Sequence, residues 1–168
     1  MKTKISIVFF FLVLILAGCN TTIDEEKEQT AQTVEDTFKN TEKSAKEKAG
    51  NLSFYLPFGA KIEKESSNNV IISEGSDTFI LFTNPEEDPN SELLYKMAIS
   101  DEKNIVQKDT FKDDNRLGYY VIKKLPDSED YELIVGVGGT KLTTQSHLED
   151  LSDNAEMMME IAGSVKHK

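Results

Sequence analysis

From Asn51 to Thr144 the chain breaks repeatedly into runs of a few residues in which apolar and β-branched side chains alternate with polar ones, each run closed by a turn cluster. That period of two belongs to strands with one buried face, and the short spacing between runs allows hairpins, not crossover helices. Leu52, Phe54 and Leu56 alternate up to a turn at Pro57-Phe58-Gly59, and a second run is centred on Ile62. Ser66-Ser67-Asn68-Asn69 separates this from Val70-Ile71-Ile72, and Glu74-Gly75-Ser76-Asp77 leads into the β-rich run Thr78 to Thr83. After an acidic, proline-containing loop from Asn84 to Glu92 come residues 93–99, whose period fits helix and strand equally. Three further β-like runs follow at 104–111, 117–125 and 131–137, and Gly138-Gly139 turns into 141–144.

The period then changes. Leu148, Leu151, Ala155, Met158, Ala162 and Val165 recur every three or four residues, with Ile161 broadening the stripe. Ser146-His147-Leu148-Glu149 has the spacing of a capping box, with Ser146 as N-cap and Glu149 reaching back. Residues 51–168 therefore predict a single α+β domain, a mostly antiparallel sheet covered by a C-terminal amphipathic helix.

Residues 19–50 read differently. They contain no proline and are rich in Glu, Lys, Thr and Ala. Ala31, Val34, Phe38, Ala45 and Ala49 make only a thin apolar stripe, and Glu35/Lys39 and Glu42/Lys46 are supportive i,i+4 pairs, whereas Asp24/Glu28 repel. Gly50 is a candidate C-cap. The expectation is a solvated, charged helical tether outside the core, spanning about 40 Å as a helix or about 100 Å extended.

The N-terminus carries the strongest functional signal. Lys2 and Lys4 precede an apolar run from Ile5 to Leu16, too short to cross a bilayer core comfortably and of the length of a signal-peptide apolar region. Leu16-Ala17-Gly18-Cys19 then resembles the lipobox of bacterial lipoproteins. The resemblance implies a signal peptide over residues 1–18, cleavage before Cys19, and a diacylglyceryl group on the Cys19 thiol. It also implies a lipid anchor on the extracytoplasmic face of the cell membrane, and the residue usage suits a Gram-positive source. Cys19 is the chain's only cysteine, which excludes an internal disulfide framework and an all-cysteine zinc site. A net charge of −11 argues against nucleic acid as a partner, and loss of Lys2 and Lys4 on cleavage would make the chain more acidic still.

Residues 51–168 also resemble, in order of elements, the PsbP-type α/β/α sandwich. The resemblance runs from Leu52-Ser53-Phe54-Tyr55-Leu56-Pro57 and resumes with Tyr131 to Val135, Gly138-Gly139, Thr143-Thr144 and 157–165. It implies a fold that hosts partner-binding and assembly roles more often than catalysis.

No motif commits the chain to a catalytic site, a metal or a cofactor. His147 and His167 are the only histidines and lie too isolated for a zinc set; they read as surface residues. No Gly-x-Ser-x-Gly elbow occurs. Gly136-Val137-Gly138-Gly139 lacks the last glycine of a dinucleotide fingerprint and precedes a strand, so it reads as a hairpin. Three acidic groups, Glu86-Glu87-Asp88, Asp113-Asp114-Asn115 and Asp127-Ser128-Glu129-Asp130, suit solvated turns; Asp113, Asn115 and Gly118 begin like a calcium loop, but Lys124 stands where its closing glutamate belongs. Tyr119, Tyr120, Phe79, Phe82 and Phe111 read as strand residues, forming a partner patch only if exposed together. The resulting expectation is a lipid-anchored, non-enzymatic binding or assembly domain, with the membrane and an unidentified envelope protein or small ligand as partners. The alternative is an envelope hydrolase using clustered carboxylates, although the absence of tryptophan removes the usual sugar-stacking platform.

Overall fold

The computed structural model describes residues 22–40 and 42–167. In chain order the elements are α1 (Ile23–Asn40), β1 (Glu47–Ala49), β2 (Leu52–Phe54), β3 (Lys61–Glu65), β4 (Asn69–Glu74), β5 (Asp77–Thr83), α2 (Leu93–Ala98), β6 (Ile105–Lys112), β7 (Leu117–Lys124), β8 (Tyr131–Val137), β9 (Thr140–Ser146), a short 3-10 turn (Leu148–Asp150), α3 (Leu151–Ser164) and β10 (Lys166–His167). Seven strands form one antiparallel sheet in the order β3-β4-β5-β9-β8-β7-β6, and β1-β2-β10 make a separate small sheet.

The expected α+β architecture is present, with strands on nearly every run that the alternation marked. Their two faces separate cleanly. Val70, Ile72, Phe79, Leu81, Tyr120, Ile122, Leu133, Val135 and Leu142 point to one side and build the main core with α1, α3 and the small sheet. Leu117, Tyr119, Val121 and Ile134 point to the other, where Leu94 and Ala98 of α2 cover them. Residues 93–98, ambiguous by period, are helical because that second face needs a lid. β7 and β8 are consequently buried on both faces, while Ile80 on β5, beyond the reach of α2, is half exposed.

Two expectations fail. The first concerns where the N-terminal segment sits: the expected helix is present, as α1, but not as a tether outside the core. α1 is part of the folded domain: Val34 and Phe38 are buried in the main core, Thr30 and Glu26 are buried with them, and the helix packs along α3. Its buried face is written largely in Thr30, Thr37 and Glu26, which do not register as apolar, so the stripe looked too thin for a core helix. Burial of Val34 and Phe38 alone is worth about 1.5–3 kcal/mol each. Gly50 caps no helix; with φ +55 it sits in the turn that pairs Ala49 with Leu52.

The second is the capping box, which lies elsewhere. Thr22 Oγ1 accepts from the Glu25 N–H at 3.3 Å while Glu25 Oε2 accepts from the Thr22 N–H at 3.1 Å, a reciprocal cap on α1. Ser146 instead ends β9 and donates to the His147 carbonyl. The helix proper starts at Leu151 with no side-chain cap from its own N-cap residue, because Glu26 reaches across from α1 and accepts from the Ser152 N–H at 2.9 Å.

Candidate functional site

The two ends of the sheet bring together different chemistry. At one end, the β6–β7 turn, the β8–β9 turn, the loop 84–92 and the C-terminus of α3 enclose a cavity of about 200 Å³. The acidic loop is strapped down by backbone bonds, Leu117 N–H to Pro89 O at 3.0 Å and Asn84 N–H to Gly139 O at 2.8 Å. Gly138 makes this possible: its φ is +52, and a Cβ there would lie 2.4 Å from the Pro89 carbonyl oxygen. The glycine-rich run is thus the hairpin expected of it, kept bare by the loop that lies on it.

Asp113 and Arg116 order one wall of the cavity. Asp113 Oδ1 accepts from the N–H groups of Asn115 and Arg116 at 3.0 and 2.8 Å, an Asx turn. Its Oδ2 receives Arg116 Nε at 2.8 Å and Nη2 at 2.7 Å. Partial burial pushes the Asp113 carboxyl upward, but the Arg116 guanidinium and the two backbone N–H groups outweigh it and hold the pKa below its usual value. Arg116, the chain's single arginine, also donates from Nη2 to the Phe38 carbonyl at 3.2 Å and lies 4.7 Å above the Phe38 ring. It therefore caps the C-terminal end of α1, where the helix dipole favours a cation. Its Nη1 has no acceptor among the described residues and sits beside Gly163 at the cavity.

His167 also lines the cavity; it is exposed, as expected, but held in β10, and its Nε2 shares a 3.1 Å hydrogen bond with the buried Thr83 hydroxyl. Asn84, Asn115 and Thr140 add amide and hydroxyl groups, and Val137, Ala162 and Val165 supply the apolar part of the lining. This end can hold a small, partly polar molecule.

At the far end of the sheet, Asp130 and His147 form a pair, Nδ1 to Oδ1 at 2.7 Å, while Gln145 Nε2 donates to Oδ2 at 2.6 Å. Gln145 and His147 together hold the Asp130 carboxyl below its usual pKa; the Asp130 hydrogen bond and charge raise that of His147. The neighbouring Ser146 hydroxyl is buried and committed to the His147 carbonyl and the Asn154 amide, so it is no nucleophile for this dyad. No signal in the sequence joins Asp130 to His147; the β8–β9 register does so by setting Tyr131 opposite Ser146.

The other acidic groups serve turns. Glu87 accepts from the Ser91 hydroxyl, and Asp127 takes a left-handed φ of 55 in the β7–β8 turn, where Lys124 Nζ donates to the Glu129 carbonyl. Among the described residues no three His, Cys, Asp or Glu side chains converge as a metal site. Tyr119, Tyr120, Phe79 and Phe111 are buried and Phe82 is half-buried, so they form no exposed patch. Cys19 and the rest of the lipobox-like run expected to carry the anchor lie outside the described residues, and among those described no helix is long and apolar enough to cross a membrane.

The elements define an α+β protein in which an antiparallel sheet is packed between helices. Among solved structures the chain is similar to the solution structure of cyanobacterial PsbP (CyanoP) from Synechocystis sp. PCC 6803, with a TM-score of 0.41 and 12% identity over 77% of this chain and 99% of that one. The expected PsbP-type likeness is met to that extent, and a likeness at that score lends no weight to any role. No family model and no curated protein sequence matches the chain.

Proposed function

We propose that this chain is a lipoprotein, anchored by a diacylglyceryl group on Cys19 to the extracytoplasmic face of the cell membrane, whose folded domain binds an envelope ligand or protein and catalyses no reaction. The anchoring half rests on the order of basic head, apolar run and Leu16-Ala17-Gly18-Cys19. Cys19→Ala should abolish acyl labelling and leave unprocessed precursor; normal maturation of that variant would count decisively against the anchor.

The binding half is carried by the cavity beside Arg116, where a guanidinium nitrogen without an acceptor among the described residues shares the lining with amide, hydroxyl and apolar groups. An envelope hydrolase would need one carboxyl held protonated near neutral pH. Asp113 and Asp130, the solvent-reachable carboxyls anchored at the two ends, are instead both held low, and Glu26, whose pKa burial raises, is shut between α1 and α3 away from any substrate. A photo-crosslinker at Asn115 in native membranes should give a discrete adduct. Gly163→Phe, which places a ring into the cavity from an exposed helix position, should remove the adduct while leaving the fold intact. An adduct indifferent to Gly163→Phe, or none at all, would refute binding at this cavity.

A further inference from the structure

The described fold leaves almost no chain for a tether. α1 begins at Ile23, so only Asn20, Thr21 and Thr22 separate it from Cys19, a span of at most about 14 Å between the Cα atoms of Cys19 and Ile23. The start of α1 also marks one particular end of the molecule. Glu26 bonds the Ser152 N–H in the first turn of α3, and Asn154 of that same helix reaches Asp77 Oδ2 at 3.5 Å and Ser146 Oγ at 3.0 Å. The N-termini of α1 and α3, the β4–β5 turn and the end of β9 therefore lie together. The Arg116 cavity, beside the C-termini of α1 and α3, lies at the opposite end.

Resting on the Cys19 anchor proposed above, we infer that the domain is seated end-on against the lipid surface, with the β4–β5 turn toward the headgroups and the Arg116 cavity turned away from them. A further observation favours that pose. Phe58, wholly exposed, sits in the turn beside Glu74, where Gly59 lies next to the Glu74 carboxylate, and so offers an apolar side chain at the lipid-facing end. Asp24, Glu25, Glu149 and Asp153, exposed on that end, repel an anionic surface over about 8 Å at physiological salt, so they set a stand-off no longer than the chain leading to Cys19. A ligand for the cavity then approaches from the side away from the membrane.

The lone cysteine makes the test clean, since acylation of Cys19 leaves any added thiol as the only one that takes a dye. Full-length, processed protein carrying Ser76→Cys or Asn115→Cys is labelled and reconstituted in phosphatidylcholine vesicles containing phosphatidylglycerol and a headgroup-spin-labelled lipid. Quenching should be several-fold stronger at position 76 than at 115, and ten Gly/Ser residues inserted before Ile23 should erase the difference. Equal quenching at the two positions, stronger quenching at 115, or a difference that survives the insertion overturns the seating while the anchor stands. A chain whose Cys19 itself takes the dye and which fails to float with the vesicles overturns the anchor, and the seating with it.

Discussion

Glu26 is a buried carboxylate whose only bonded partner among the described residues is a backbone N–H of another helix. Burial raises its pKa, the Ser152 N–H opposes that, and the carboxylates of Asp153, Asp150 and Glu149 add to it. A folded pKa above the unfolded one means that the ionised group weakens the fold at neutral pH. The penalty disappears as pH falls through the folded pKa toward about 4.5. Glu26→Gln keeps an acceptor and removes the charge, so it should raise the melting temperature at pH 7 and lose that advantage near pH 4; an equal effect at both would exclude the buried charge as the cause. Thr30 is its counterpart among neutral groups, with a buried hydroxyl that finds no partner among the described residues. Thr30→Val should stabilise by about 1 kcal/mol in denaturant titration, since an unpaired buried hydroxyl costs about that much. The Asp130–His147 pair has the same pH sense as Glu26 on its alkaline side, but in a higher pH range. Its contribution is complete below the unfolded histidine pKa of 6.5 and fades as pH rises through the raised folded value. His147→Ala should therefore flatten the stability profile on that limb.

At the level of elements, α1 decides how the domain is built. Gly118 on β7 marks its docking point: a Cβ there would lie 2.7 Å from the Phe38 ring and 2.6 Å from that of Phe111. An isolated glycine within a strand is a readable sign of close approach, though the sequence does not say what approaches. Phe38→Ala should cost about 3–5 kcal/mol in chemical denaturation, as expected of a core aromatic and not of a solvated stalk. Gly163, exposed in α3 with only Arg116 Nη1 near its would-be Cβ, behaves oppositely; Gly163→Ala should add up to about 1 kcal/mol by helix propensity.

For the molecule as a whole, the core spans both sides of the boundary that composition suggests at residue 51. Helix α1, Ala49 and the α3 residues Met158 and Ile161 belong to one cluster. Residues 22–168 should unfold in a single cooperative step, with near-UV circular dichroism and intrinsic tyrosine fluorescence transitions coinciding, whereas 51–168 should lack near-UV structure. An independently folded 51–168 fragment would restore the tether.

What the sequence determined alone is whatever depends on local period and turn chemistry. The strands, the β8–β9 hairpin at Gly138-Gly139 and the amphipathic α3 were legible because each is set by side-chain alternation or by a glycine within a few residues. The lipobox-like run Leu16-Ala17-Gly18-Cys19 is legible for the same reason, as a contiguous pattern. Only the tertiary structure decided which polar faces are buried. Glu26 on α1 counts as solvent-facing until α3 supplies the Ser152 N–H, Thr30 and Thr37 until α3 packs over them, and Asp113 is one acid among many until the β6–β7 turn closes on Arg116 and Arg116 closes on α1. Burial of a polar group is permitted by partners that lie far away in sequence, so no local pattern records it.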